Sequence, residues 1–137
     1  MKPNTEHVLI YIANPVVAEV TGHRLELLGL RVTSVSDGKE MSDSITASLP
    51  DAVIIDLDFD QGAGLRWIES IASDECTSHI PVLCLSSRGD LGEVEQAYRT
   101  GAIEFLVSPF DPVDLENKLI DALQTMPRNL AAGEVNR

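Results

Sequence analysis

Ala52-Val53-Ile54-Ile55-Asp56 is an unbroken apolar run closed by one acid. Runs of this kind recur at Val8 to Ala13, Pro81 to Leu85 and Ile103 to Val107. Near-continuous hydrophobicity over strand length predicts strands covered by helices on both faces. A further run, Leu30 to Val35, alternates with polar residues and predicts an edge strand. Helical patterns fall between all five, and strands alternating with helices build a parallel sheet. Right-handed crossovers then predict an α/β fold: a doubly wound five-stranded parallel sheet, (βα)5, with strand order 2-1-3-4-5.

The helices are signalled by caps as well as by period. Asn14-Pro15 supplies an N-cap and a proline at the first helical position, with Val17, Val20, Leu27 and Leu28 running to Gly29. Met41, Ile45 and Leu49 predict a second helix ended by Pro50; Leu65, Ile68, Ile71 and Ala72 predict a third. Leu91, Val94, Ala97 and Tyr98 mark the fourth, before Gly101. Asp111-Pro112 opens the fifth, whose stripe is Leu115, Leu119, Ala122, Leu123 and Met126.

The chain has 137 residues, which suits one compact domain over 1–125 followed by a tail or cut linker at 126–137. It carries 22 acids against 10 Lys and Arg, a net charge of −12. That balance repels phosphate, so nucleic acid and anionic membranes are not expected partners. Cys76 and Cys84 lack metal-type spacing and read as reduced thiols. No apolar run approaches the ~18 residues of a membrane span, and a cytoplasmic protein is expected.

In open parallel sheets ligands bind beyond the carboxyl ends of the strands, where strand order reverses. That brings Ile12, Ala13 and Asn14 beside Asp56 and Asp58, with Ser86, Ser87 and Arg88 on one side and Ser108-Pro109 beyond. The arrangement resembles the receiver domain of two-component response regulators over roughly residues 7 to 125. Pro50 to Asp56 is similar to the family's approach to its phosphoacceptor aspartate, and Gly64-Leu65 follows at the family's spacing. Ile80 to Ser87 is similar to the stretch ending in the switch Ser or Thr. Gly101-Ala102, Phe105 and Ser108-Pro109-Phe110-Asp111-Pro112 look like the fifth-strand signature.

The resemblance implies Asp56 as the phosphoacceptor position, Ser86 and Phe105 as switch positions, and a cis peptide at Ser108-Pro109. The departures are equally specific. Ile12 and Ala13 stand where the family has two metal-holding acids, Ser108 where it has a lysine, and Asp60 and Ala63 where it has proline and an acid. An acyl phosphate is stabilised by Mg²⁺ and that lysine, so their loss implies failed or very slow phosphorylation. Asp56, Asn14 and Asp58 remain as weak Mg²⁺ donors, and no cofactor is expected. Each retained residue also has a structural reading: Asp56 as a strand-end cap, Ser86 as a turn hydroxyl, Phe105 as core. Arg88 is a candidate counter-ion, reaching Asp58 or Asp56 in the lysine's stead, against the alternative of two solvated charges.

The expected function is that of an atypical receiver, a pseudo-receiver, acting as a signalling protein-protein interaction module rather than an enzyme. Its partner would be a histidine kinase or other signalling protein, met through the fourth helix, fifth strand and fifth helix, with Val94, Tyr98, Phe105 and Val107. A monomer or weak homodimer is expected. The alternative is a working phosphoacceptor in a His-Asp phosphorelay, with Asp56 phosphorylated. A flavin carrier is disfavoured by the blunt turn Asn14-Pro15-Val16-Val17.

Overall fold

The computed structural model describes residues 6–58 and 63–125. Five strands alternate with five helices: β1 His7–Tyr11, α1 Pro15–Leu27, β2 Arg31–Ser34, α2 Gly38–Ser48, β3 Ala52–Asp56, α3 Ala63–Ser73, β4 Val82–Ser86, α4 Leu91–Thr100, β5 Glu104–Val107 and α5 Pro112–Thr125. All pairings are parallel and the order is β2-β1-β3-β4-β5, as the alternation predicts. Asp60 and the 126–137 segment, with Met126, lie outside the described residues.

The apolar runs are continuous because the sheet has a core on each side. Leu9, Tyr11, Val53, Ile55, Val82 and Cys84 face one way, onto Met41 and Ile45 of α2, Ile68 and Ile71 of α3, and Ala97 of α4. Their neighbours Val8, Ile10, Ala52, Ile54, Leu83 and Leu85 face the other way, onto Leu25 of α1 and Leu115, Leu119 and Ala122 of α5. Side chains alternate between faces at period two, so a strand buried on both faces has no polar position to spare. β2 is an edge, as its alternation predicts. β5 is the other edge, where Val107 is exposed and Glu104 half-buried, so its coverage is thinner than its apolar run implies.

Helix faces depart from the sequence reading in three places. In α1 the residues against the sheet are Thr21, Gly22 and Leu25, while Val20, Leu27 and Leu28 are exposed. Small side chains bring α1 close: a Cβ on Gly22 would touch Val32 Cγ1 at 3.5 Å and Ile10 Cδ1 at 3.7 Å. Leu49 is not part of the α2 stripe; it is the C-cap, left-handed at φ 44°, and exposed. In α4 only Ala97 is buried, leaving Leu91 and Tyr98 exposed. Ser108-Pro109 is cis.

Candidate functional site

The register of the central strands sets the site. Tyr11 pairs with Ile55, Asp56 with Leu85, and Ser86 with Val107. The residues just past each strand therefore share one layer at the carboxyl end of the sheet. Asp56 is 8% exposed and its oxygens face backbone donors from two loops. Ala13 N donates to Oδ2 at 3.0 Å and Asp58 N to Oδ1 at 2.9 Å. Gly64 seats α3 directly on this turn, since a Cβ there would lie 2.8 Å from Leu57 Cδ2 and 3.3 Å from the Asp56 carbonyl oxygen.

Burial raises Asp56 above the ordinary carboxyl range; the Ala13 and Asp58 amides pull it down less, and the nearby Asp58 charge adds to the rise. A folded pKa above the unfolded one stabilises the fold below the unfolded value, about 4, and that contribution is lost as pH rises through the folded value. Asp56 thus contributes less to stability as pH rises above about 4. Asp56→Asn is expected to gain on the native chain in denaturant midpoint as pH is raised from about 4 to about 7. Parallel pH curves for the two proteins would contradict the buried-carboxyl account.

Asp58 ties the two loops together, accepting from Ser87 N at 3.2 Å and 3.4 Å on its two oxygens. Ser86 is fully buried and its hydroxyl donates to Glu93 Oε1 at 2.7 Å. Arg88 N donates to Ser86 Oγ at 3.1 Å, and Gly89 N to the same Glu93 Oε1 at 3.2 Å. Glu93 is the residue that sequence reasoning missed. Its signal was present as Asp90-x-x-Glu93 at a helix start, a capping-box spacing. Asp90 Oδ1 does accept from Glu93 N at 2.8 Å, but the glutamate's own side chain turns inward to Ser86 and Gly89.

The counter-ion expectation for Arg88 is corrected. Its Nη2 bonds Asp90 Oδ2 at 3.0 Å, both side chains are well exposed, and Asp58 faces the Ser87 amide instead. Gly89 at φ 64° turns the chain so that Asp90 lies nearer than either crevice acid. Phe105 is half-buried and packed on the core cluster of α2, α3 and α4.

The donors around Asp56 do not fit Mg²⁺. The Asn14 Oδ1 is committed to the α1 N-cap, accepting from Val16 N at 2.9 Å and Val17 N at 3.2 Å. Ile12 is buried among apolar residues, Ala13 offers a methyl group, and no group of three or more His, Cys, Asp or Glu capable of holding a metal occurs among the described residues. A small hard cation needs near-octahedral oxygen ligation, and the Asp56 carboxylate alone falls short. In place of ligands there is a cleft of about 590 Å³ over Asp56, walled by Ile12, Val17, Val20, Leu85, Phe110 and Pro112, with Ser108 at its side.

Cys84 is buried and its thiol is pushed up to about 12, chiefly by desolvation, which leaves it inert; Cys76 is exposed. No helix among the described residues is long and apolar enough to cross a membrane.

Comparison with known proteins agrees with this architecture. The chain is 32% identical over 102 residues to response regulator Rre1 of Synechocystis sp., covering 74% of this chain and 41% of that protein. It is 29% identical over 104 residues to the DNA-binding dual master transcriptional regulator RpaA of Synechocystis sp., covering 76% of this chain and 43% of that one. The chain spans less than half the length of these curated relatives. Among solved structures, a putative response regulator from Chloroflexus aurantiacus superposes with TM-score 0.81 at 27% identity, over 88% of this chain and 98% of that one. The chemotaxis response regulator CheY4 of Vibrio cholerae shares the fold, with TM-score 0.79 at 21% identity, over 87% and 99% of the two chains. Residues 8–120 match the response regulator receiver domain, and with the parallel order β2-β1-β3-β4-β5 and an aspartate closing β3, the chain belongs to that family.

Proposed function

We propose that this receiver domain signals by binding a protein partner without being phosphorylated. The observation that carries the reading is the surround of Asp56: Ile12 and Ala13 supply no carboxylate for a metal, and Ser108 supplies no cation. Phosphoryl transfer replaces a singly charged carboxylate by an acyl phosphate carrying about two negative charges, and it is fast only where preorganised positive charge meets them. Here the nearest acid, Asp58, adds to the negative charge. The Ser86 hydroxyl is engaged by Glu93, which favours one fixed loop conformation over a switch.

The partner face would be α4, β5 and the start of α5. Leu91, Tyr98 and Val107 are 75%, 45% and 47% exposed there, with Val94 and Phe105 half-buried between them. Exposed aromatic and aliphatic side chains grouped on one face are the usual material of a protein interface. A histidine kinase or other signalling protein fits this role. With a net charge of −12, the domain itself would be a monomer or weak homodimer.

Incubation with acetyl phosphate and Mg²⁺, read by intact mass spectrometry, is expected to leave the mass unchanged. A phosphoryl adduct that disappears in Asp56→Asn would overturn the reading in favour of a working His-Asp phosphorelay.

A further inference from the structure

We propose that the cleft over Asp56 binds a small amphipathic cation, an amine with a compact apolar body, seating its ammonium on the Asp56 carboxylate. The site includes no residue of α4 or β5 and meets the partner face proposed above only at Pro112, the first residue of α5. A cleft of about 590 Å³ falls within the roughly 300–1,000 Å³ of small-molecule sites. Its walls are mostly aliphatic and aromatic, and Val16, Val20 and Pro109 of its lining are exposed. The charged groups lining it are Asp56, Asp58 and Arg24. Arg24 is already neutralised, its Nε bonded to Glu116 across α1 and α5. The cleft is therefore apolar along its walls and negative at its floor.

Each Asp56 oxygen accepts one backbone N–H, so acceptor capacity remains on both. A neutral apolar ligand would cover that capacity and leave it unmet, at the cost of burying a charge. An anion would be repelled by both carboxylates, and a hydrated metal ion would meet hydrocarbon where it needs oxygen. An ammonium with an apolar body meets both demands, and its charge would offset the desolvation that raises Asp56.

The test is an amide titration of the full ¹⁵N-labelled chain with 2-phenylethylamine, 2-phenylethanol and phenylacetate, following Ala13 and Asp58, whose N–H groups both bond Asp56. The amine should give saturable shifts at these two amides, the alcohol should bind at least about tenfold more weakly, and phenylacetate should give none. Asp56→Asn should reduce the amine to the alcohol's affinity. Ala13→Leu, which keeps the carboxylate and fills the cleft, should weaken amine and alcohol alike; preserved spectral dispersion confirms that each variant is folded. Absence of saturable amine shifts, equal binding of amine and alcohol, or an Asp56→Asn variant that still prefers the amine would each overturn the proposal. So would MgCl₂ producing the same shifts and displacing the amine.

Discussion

Replacing Ile12 and Ala13 together by aspartate is expected to lower the melting temperature in EDTA and to make stability depend on Mg²⁺. Ile12 is 4% exposed and packs with Ile10, Leu85 and the α5 core residues. Exchanging that side chain for a carboxylate removes packing and places a charge beside Asp56, a loss of about 3 kcal/mol or more. With three acids converging, Mg²⁺ gains the ligands that the native chain lacks. Any ion that binds only the folded state stabilises it by mass action, about 2.7 kcal/mol at a hundred times its Kd. Thermal unfolding from EDTA to rising MgCl₂ should therefore climb for the double variant and stay flat for the native protein. A native melting temperature that climbs as steeply would show that the present donors suffice for Mg²⁺.

Gly101→Ala should be the most damaging change of a single methyl group. Gly101 ends α4 at φ 138°, where its N–H reaches the carbonyls of Ala97 and Tyr98. A Cβ there would stand 2.7 Å from the Ala72 Cβ of α3, an atom fixed to its own backbone. The unfavourable φ costs about 1–3 kcal/mol and the overpacking about as much again, so a total of roughly 2–6 kcal/mol is expected. The two parts are separable. Ala72→Gly removes the opposing methyl, so the Ala72→Gly/Gly101→Ala double variant should recover the packing share and retain the backbone share. Urea midpoints for the four proteins of that cycle measure both, and a double variant no more stable than the simple sum of singles would remove the contact from the account.

Four strands were legible as near-continuous apolar runs of the right length, and β2 as an alternating edge. Faces of helices were harder. Periodicity weighs large apolar residues and points Val20, Leu27 and Leu28 inward, yet α1 approaches the sheet with Thr21 and Gly22 and those three lie outward. Leu49 matched the α2 spacing but takes a left-handed cap, which turns it out of the stripe. At the site, the positions of Ile12, Ala13, Asp56 and Ser108 could be read by topology and motif. The Arg88 pairing could not, because a turn at Gly89 decides which acid is near, and a turn is invisible to strand-end reasoning. Glu93 was hidden for a similar reason: its spacing advertises a cap, while its carboxylate serves the loop before it.

That carboxylate belongs to two surfaces at once. Glu93 is carried by α4, the helix of the exposed apolar face, yet one of its oxygens holds Ser86 at the edge of the Asp56 crevice and the Gly89 amide. A partner that tilts α4 must stretch or keep those two bonds, and a ligand that disturbs Ser86 must do the same from the other end. If the bonds respond at all, the two binding events are thermodynamically joined, and each shifts the other's affinity by the same factor. The Glu93 carboxylate is then a shared hinge point between the α4 face and the Asp56 crevice, felt in either direction.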